Sequence, residues 1–123
     1  AQGQKMKLFA GSEGFRRDFI YVDDIVQMNL HFYQTKTSGI FNAGTGKARS
    51  FQDIATTLQQ LEPAGQIEII PFPDHLEGKY QEFTEADTTL LRKAGYERPM
   101  TSLEDGVRQY YDLWKRTGGY RRD

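Results

Sequence analysis

The sequence predicts an α/β fold in one small domain, and three observations predict it. Short runs rich in β-branched and aromatic residues alternate with longer segments of helical apolar spacing. Gly- and Pro-containing punctuation separates these runs. The length, 123 residues, suits one domain with a modest core.

In chain order, Met6–Phe9 alternates and reads as a strand, followed by the turn residues Gly11, Ser12 and Gly14. Arg17–Val22 has strand propensity in its second half. Asp23 or Asp24 then suits a helix N-cap, because a carboxylate accepts bonds from the free N–H groups there. The helix is expected to run to about Tyr33. It carries two apolar stripes, Ile25–Met28–Phe32 and Val26–Leu30–Tyr33, which imply burial on more than one side. Gly39–Ala43 reads as a short strand ending in Gly44-Thr45-Gly46. Ser50 and Asp53 have capping-box spacing for a second helix. Its buried face is Phe51, Ile54, Ala55, Leu58 and Leu61, and Pro63 and Gly65 end it. Ile67–Ile70 is a strand stopped by Pro71 and Pro73, and Asp74–Gln81 is polar and irregular. Asp87–Ala94 reads as a short helix with Leu90 and Leu91 inward and Gly95 at its C-terminal cap. Thr101 or Ser102 caps a last helix whose inward stripe is Leu103, Val107, Tyr110, Tyr111 and Trp114. The basic tail from Gly118 is expected to fray.

Composition removes several function classes. A formal net charge of −1 leaves no electrostatic footprint for nucleic acid. Absence of cysteine rules out disulfides and thiolate zinc sites and fits a cytoplasmic protein. No apolar run approaches membrane-span length, so no membrane partner is expected. The start, Ala-Gln-Gly-Gln-Lys, is neither a signal peptide nor an initiator Met, and reads as if cut from a longer chain.

Two motifs suggest chemistry and do not carry it. Gly44-Thr45-Gly46-Lys47 has neither the spacing of a P-loop nor that of a dinucleotide turn, since Ala48 and Arg49 stand before Ser50. It reads as a tight strand-to-helix turn. Tyr111-Asp112-Leu113-Trp114-Lys115 has a Tyr-x-x-x-Lys spacing, which in a catalytic setting lowers the phenol pKa. Here Tyr111 belongs to an apolar stripe and no nucleotide fold precedes it. His31 sits in an apolar-rich helix as a surface or packed residue. His75 lies in a polar loop where it could touch a ligand, and neither has metal-ligand spacing.

The most specific run is Arg16-Arg17-Asp18-Phe19-Ile20-Tyr21-Val22-Asp23-Asp24. On composition alone Arg17 could be a plain surface cation. The run resembles the signature of extended short-chain dehydrogenases acting on nucleotide sugars. So do Gly39-Ile40-Phe41-Asn42-Ala43-Gly44-Thr45-Gly46, Phe51-Gln52-Asp53-Ile54-Ala55 and Thr101–Val107 with Trp114 after it. Two further segments, Lys7–Glu13 and Pro71–Asp74 with Gly78–Thr84, are similar to the branch that epimerises ADP-linked heptose.

The resemblance covers nearly the whole chain and implies the C-terminal, substrate-binding portion of a Rossmann-type enzyme, with the nucleotide-binding half outside it. Asp23–Gly46 would pack on that half. The resemblance also implies an NADP-dependent epimerase of ADP-heptose serving lipopolysaccharide core synthesis, oligomeric as a whole. The cofactor and the catalytic Tyr and Lys would lie on the other half, so this segment alone is expected to be inactive. By resemblance, Phe9, Ala10, Gly11, Ser12, Arg17 and Tyr80 contact the nucleotide sugar. The family has Glu where this chain has Ala10, which leaves only a backbone role there. Their chemistry suits binding: Arg17 offers a planar fork for a diphosphate, Phe9 a flat wall, Gly11 close backbone approach and Tyr80 a phenol donor. The alternatives are another 4-epimerase or dehydratase of nucleotide sugars, or a non-catalytic nucleotide-sugar-binding module.

Overall fold

A computed structural model describes residues 5–118. It contains four strands and four α-helices among those residues: β1 (Met6–Phe9), β2 (Arg16–Arg17), α1 (Val22–Thr35), β3 (Arg49–Ser50), α2 (Phe51–Leu61), β4 (Ile67–Ile70), α3 (Thr89–Lys93) and α4 (Leu103–Arg116). The α/β expectation holds, in two small sheets. β1 pairs parallel with β4, with Met6 opposite Ile67 and Phe9 opposite Ile70. A parallel pair needs a crossover, and α2 lies in it and packs against β1. β2 pairs antiparallel with β3, with Arg16 opposite Ser50 and Arg17 opposite Arg49. The expected fraying after Gly118 lies outside the described residues.

Local chemistry fixes the helix starts. At α2 the Asp53 N–H donates to Ser50 Oγ and the Ser50 N–H to Asp53 Oδ2, both 3.1 Å, completing the capping box. At α4 it is Ser102 that caps, accepting from the Asp105 N–H at 3.1 Å. Thr101 has another partner: its N–H and hydroxyl donate to the Asp24 carboxylate at 2.8 and 2.9 Å.

That pairing corrects the reading of α1. Its N-cap is Tyr21, with no side-chain cap, and neither Asp23 nor Asp24 performs that task. Asp24 is buried one turn inside and ties α1 to the start of α4. Three other expectations also fail. The strand near Arg17 occupies Arg16–Arg17 rather than the second half of Arg17–Val22, because the partner strand β3 is only two residues long. Gly39–Ala43 forms no strand, having no paired neighbour among the described residues. Leu90 is exposed while Leu91 is buried, because the five-residue helix α3 turns one side inward.

The core is small. Met28, Leu91 and Tyr96 form its buried centre, with Ile20, Phe32, Phe41 and Met100 packed around them. Phe32 and Phe41 stack at 4.6 Å between centroids. Only the first stripe of α1 reaches this core. Val26, Leu30 and Tyr33, with Val22 beside them, stay exposed, and Ile40 is 95% exposed. Between α2, α4 and residues 19–22 a cavity of about 630 Å³ opens, lined by Phe19, Ile20, Leu58, Val107, Tyr110 and Trp114 among others. The last helix therefore turns its apolar stripe toward an unfilled space. No helix of the described residues is long and apolar enough to cross a membrane.

So much uncovered apolar surface carries a testable consequence. Purified alone, the chain is expected to bind a hydrophobic dye and to self-associate in sedimentation-velocity runs. A monodisperse, dye-negative monomer would count against it.

Candidate functional site

The site is built where β1, β2 and the loop after β4 meet. β1 ends at Phe9, and the Ala10 N–H continues the ladder to the Ile70 carbonyl at 2.7 Å. The chain then turns through Gly11, whose φ of 81° is the left-handed conformation that glycine adopts without strain. Residues Ser12–Gly14 form a 3-10 turn that packs against α2 and β3. Ser12 is buried, and its hydroxyl has no hydrogen-bond partner among the described residues. Ala10 and Gly11 are exposed.

From the other side, Tyr80 comes in on the loop that follows the 3-10 turn Asp74–Leu76. Its ring meets Phe9 edge-on at 6.3 Å, Phe15 at 5.0 Å and Phe72 at 5.7 Å. Phe9 and Phe15 each contact Phe72 at 5.6 Å, which closes a cluster of four rings. The Arg17 guanidinium lies over this cluster, 5.1 Å from the Tyr80 centroid. The structure thus brings Phe9, Arg17 and Tyr80 together, with Ala10, Gly11 and Ser12 directly following Phe9.

Charge separates the three neighbouring arginines. Arg49 is bound by Asp53 at 3.2 Å and by both Glu104 oxygens. Hydrogen bonding to Glu104, against the cost of burial, raises the Arg49 guanidinium above its ordinary value, and the same bond lowers Glu104. Arg17, its cross-strand neighbour, pairs with no carboxylate among the described residues and donates only to the Arg16 carbonyl at 3.2 Å. Arg16 is exposed and Arg17 half-buried.

Asp18 holds this arrangement in place. Its carboxylate accepts the amides of Thr45, Gly46 and Ala86 at 2.9–3.0 Å and also the Thr45 hydroxyl. Burial alone would raise its pKa, yet these bonds from Thr45, Ala86 and Gly46 bring it below the ordinary 3.8. Gly44 makes room for the contact: a Cβ there would lie 2.5 Å from that of Ala86 and 2.7 Å from Asp18 Oδ2.

The same bonds decide what the Gly44–Lys47 turn can hold. Its amides at Thr45 and Gly46 point at Asp18, the Lys47 amide donates to Thr45 Oγ1, and the Ala48 amide donates to Glu85. A turn so occupied does not fit a dinucleotide phosphate. The Tyr111–Lys115 pair is likewise engaged. Tyr111 donates its hydroxyl to Glu62, Lys115 lies 3.4 Å from the same carboxylate, and together they tie α4 to the end of α2. Their bonds lower Glu62 and raise Lys115. His31 is packed between the Phe32 and Tyr96 rings, each 5.3 Å away, and His75 is exposed.

None of the six expected contact residues lines the apolar cavity. That cavity carries Glu62 and no cation, which is the chemistry of packing and not of a diphosphate. Reading by motif missed Phe15, Phe72, Phe51 and Asp18. Phe15 was signalled by the two-residue alternation that puts it on the Arg17 side of an extended segment. Asp18 was signalled by being an acid in a β-rich run, where Asp is disfavoured.

The α/β arrangement described above is a fold that solved nucleotide-sugar epimerases share. ADP-L-glycero-D-manno-heptose-6-epimerase of Helicobacter pylori has this fold, with a TM-score of 0.75 and 27% identity over 89% of this chain and 32% of that one. UDP-glucose 4-epimerase of Thermus thermophilus, solved with NAD, shares it at a TM-score of 0.75 and 23% identity, over 93% of this chain and 36% of that one. In sequence the chain is 48% identical over 119 residues to ADP-L-glycero-D-manno-heptose-6-epimerase of Brachyspira hyodysenteriae. The match takes in 96% of this chain and 37% of that protein, so the chain spans little more than a third of the relative. No protein-family model matches it.

Asp18 yields a prediction with a defined sign. A carboxylate whose folded pKa is depressed contributes stability above its unfolded value, and that contribution is lost as pH falls through the folded value. Stability is therefore expected to be flat above about pH 5 and to fall below about pH 4. Asp18→Asn is expected to cost about 2–4 kcal/mol in urea unfolding at pH 7 and to flatten the acid limb. Gly44→Ala is expected to destabilise comparably by overpacking. An Asp18→Asn variant with wild-type stability and an unchanged acid limb would remove the carboxylate from this role.

Proposed function

We propose that this chain is the nucleotide-sugar-binding portion of an NADP-dependent epimerase. The enzyme interconverts ADP-D-glycero-D-manno-heptose and ADP-L-glycero-D-manno-heptose in the cytoplasm, supplying lipopolysaccharide core synthesis. The observation that carries the reading is the 48% identity, over nearly all of this chain, to the Brachyspira hyodysenteriae ADP-L-glycero-D-manno-heptose-6-epimerase. The site's geometry supports it. Arg17 offers an uncompensated guanidinium for the diphosphate. Phe9 gives a flat apolar edge, Ala10 and Gly11 an exposed backbone, Ser12 an unpartnered hydroxyl and Tyr80 a phenol beside the cation.

This chain binds and orients; redox chemistry belongs elsewhere in the enzyme. Nicotinamide would exchange a hydride with the sugar when bound, and the amides of Thr45, Gly46 and Lys47 are already engaged within this chain. The segment Asp23–Gly46 is the surface proposed to pack on the nucleotide-binding portion, which accounts for the exposed Val26, Leu30, Tyr33 and Ile40.

In the complete enzyme, Arg17→Ala is expected to weaken nucleotide-sugar binding by about 2–4 kcal/mol, and Arg17→Lys to recover part of this. Arg16→Ala should change affinity little, because adjacent residues on an extended segment point to opposite sides. NADP occupancy should stay constant in all three. Calorimetric titration of ADP-sugar checks this; equal losses for Arg16→Ala and Arg17→Ala would replace the anchor with diffuse surface charge. The 123-residue chain alone is expected to turn over no ADP-heptose, and measurable turnover would overturn that division of labour.

A further inference from the structure

We infer that Phe51, at the first turn of α2, is a positioning residue that, together with Tyr80, holds the Arg17 guanidinium in place. The inference rests on the reading of Arg17 as the diphosphate anchor. The guanidinium carbon lies 5.1 Å from the Tyr80 ring centroid and 5.9 Å from that of Phe51. Both distances are within the range in which a ring face attracts a cation.

Little else fixes this side chain. Its backbone is set by the β2–β3 pairing, but a long flexible stem separates that backbone from the charge, and its hydrogen bond runs only to Arg16 O. Phe51 is placed by the same pairing. It follows Ser50, which is paired with Arg16, so one two-residue ladder sets the spacing of cation and ring. The Phe51 ring is in turn braced edge-on by Phe19 at 5.3 Å, two residues beyond Arg17. A guanidinium held against ring faces loses no donor to them, so the rings take none of its N–H groups away from a bidentate oxyanion. Ordering the fork beforehand lowers the entropy lost on binding.

The competing account is that Phe51 is only an apolar residue of α2. Phe51→Leu removes the ring while keeping an apolar side chain, and Phe51→Tyr keeps the ring. In the complete enzyme, Phe51→Leu is expected to raise both Kd and KM for the nucleotide sugar about 3- to 10-fold. kcat should stay within about twofold, because the reacting atoms are untouched. Phe51→Tyr should behave as wild type. In an Arg17→Ala background, Phe51→Leu should add nothing, since its effect runs through Arg17. An equal loss in both backgrounds, or a fall in kcat with affinity unchanged, would overturn the inference in favour of plain packing. The Arg17 Nε–H proton resonance separates the two layers of the argument. If Phe51→Leu leaves its ring-current shift unchanged, the clamp is wrong. If the shift moves but Arg17→Ala leaves affinity intact, the clamp stands and the diphosphate-anchor reading fails.

Discussion

The carboxylate of Asp18 joins three stretches of chain that are far apart in sequence. It stands directly after Arg17, and its acceptor bonds run to the turn at Thr45–Gly46 and to Ala86. The turn leads into β3 and α2, while Ala86 precedes α3 and the core residue Leu91. One charged group therefore ties β2, the helix that carries Phe51 and the segment entering the core. A charge so engaged is strongly held because each donor would otherwise be a part-buried amide in need of a partner. The cost falls on sequence freedom: Gly44 has no room for a side chain while the carboxylate sits there.

A second carboxylate does similar work at the opposite end. Asp24 reaches from α1 to Thr101 and fixes where α4 begins, while Gly106 brings that helix against Tyr21, where a Cβ would come within 3.3 Å of the tyrosine Cβ. Buried apolar packing is thin by comparison, centred on Met28, Leu91 and Tyr96. Polar contacts between sequence-distant segments thus carry an unusual share of the specification, and apolar faces remain over. The surplus follows from helices patterned for more contact than the described residues provide, as Val26, Leu30 and Tyr33 on α1 show.

Legibility in the sequence follows the range of the interaction. The Ser50–Asp53 capping box, the β1 and β4 strands and the left-handed Gly95 are local chemistry, and their positions are readable from spacing alone. Asp24 reads wrongly as a cap because its real partner, Thr101, is 77 residues away. Leu90 reads wrongly as inward because a five-residue helix offers too few turns to define a buried face. The gathering of Phe9, Arg17 and Tyr80 is anticipated only through family resemblance; no periodicity links residues 9, 17 and 80. Phe15 and Phe72 complete the same ring cluster; the alternation with Arg17 signals Phe15 locally, but nothing in the sequence links it to Phe72, far along the chain.

On the proposed reading anion recognition falls on Arg17 rather than on the nearest helix, and the division of charge accounts for that choice. The N-terminus of α2 lies beside it and would ordinarily offer free amides and a positive dipole end. Here Asp53 closes the capping box, so that its own amide is taken by Ser50, and together with Glu104 it draws off Arg49. Burial would raise Asp53, but the Ser50 amide, Arg49 and the Ser50 hydroxyl hold it below its ordinary value, so it stays ionised at neutral pH. With Arg49 neutralised, Arg17 keeps its charge unpaired among the described residues and its guanidinium over aromatic rings, which cannot compete for its protons as a carboxylate would. The diphosphate of the proposed nucleotide sugar would therefore displace no internal ion pair, and so avoid the desolvated, unpaired acid that such an exchange would leave behind.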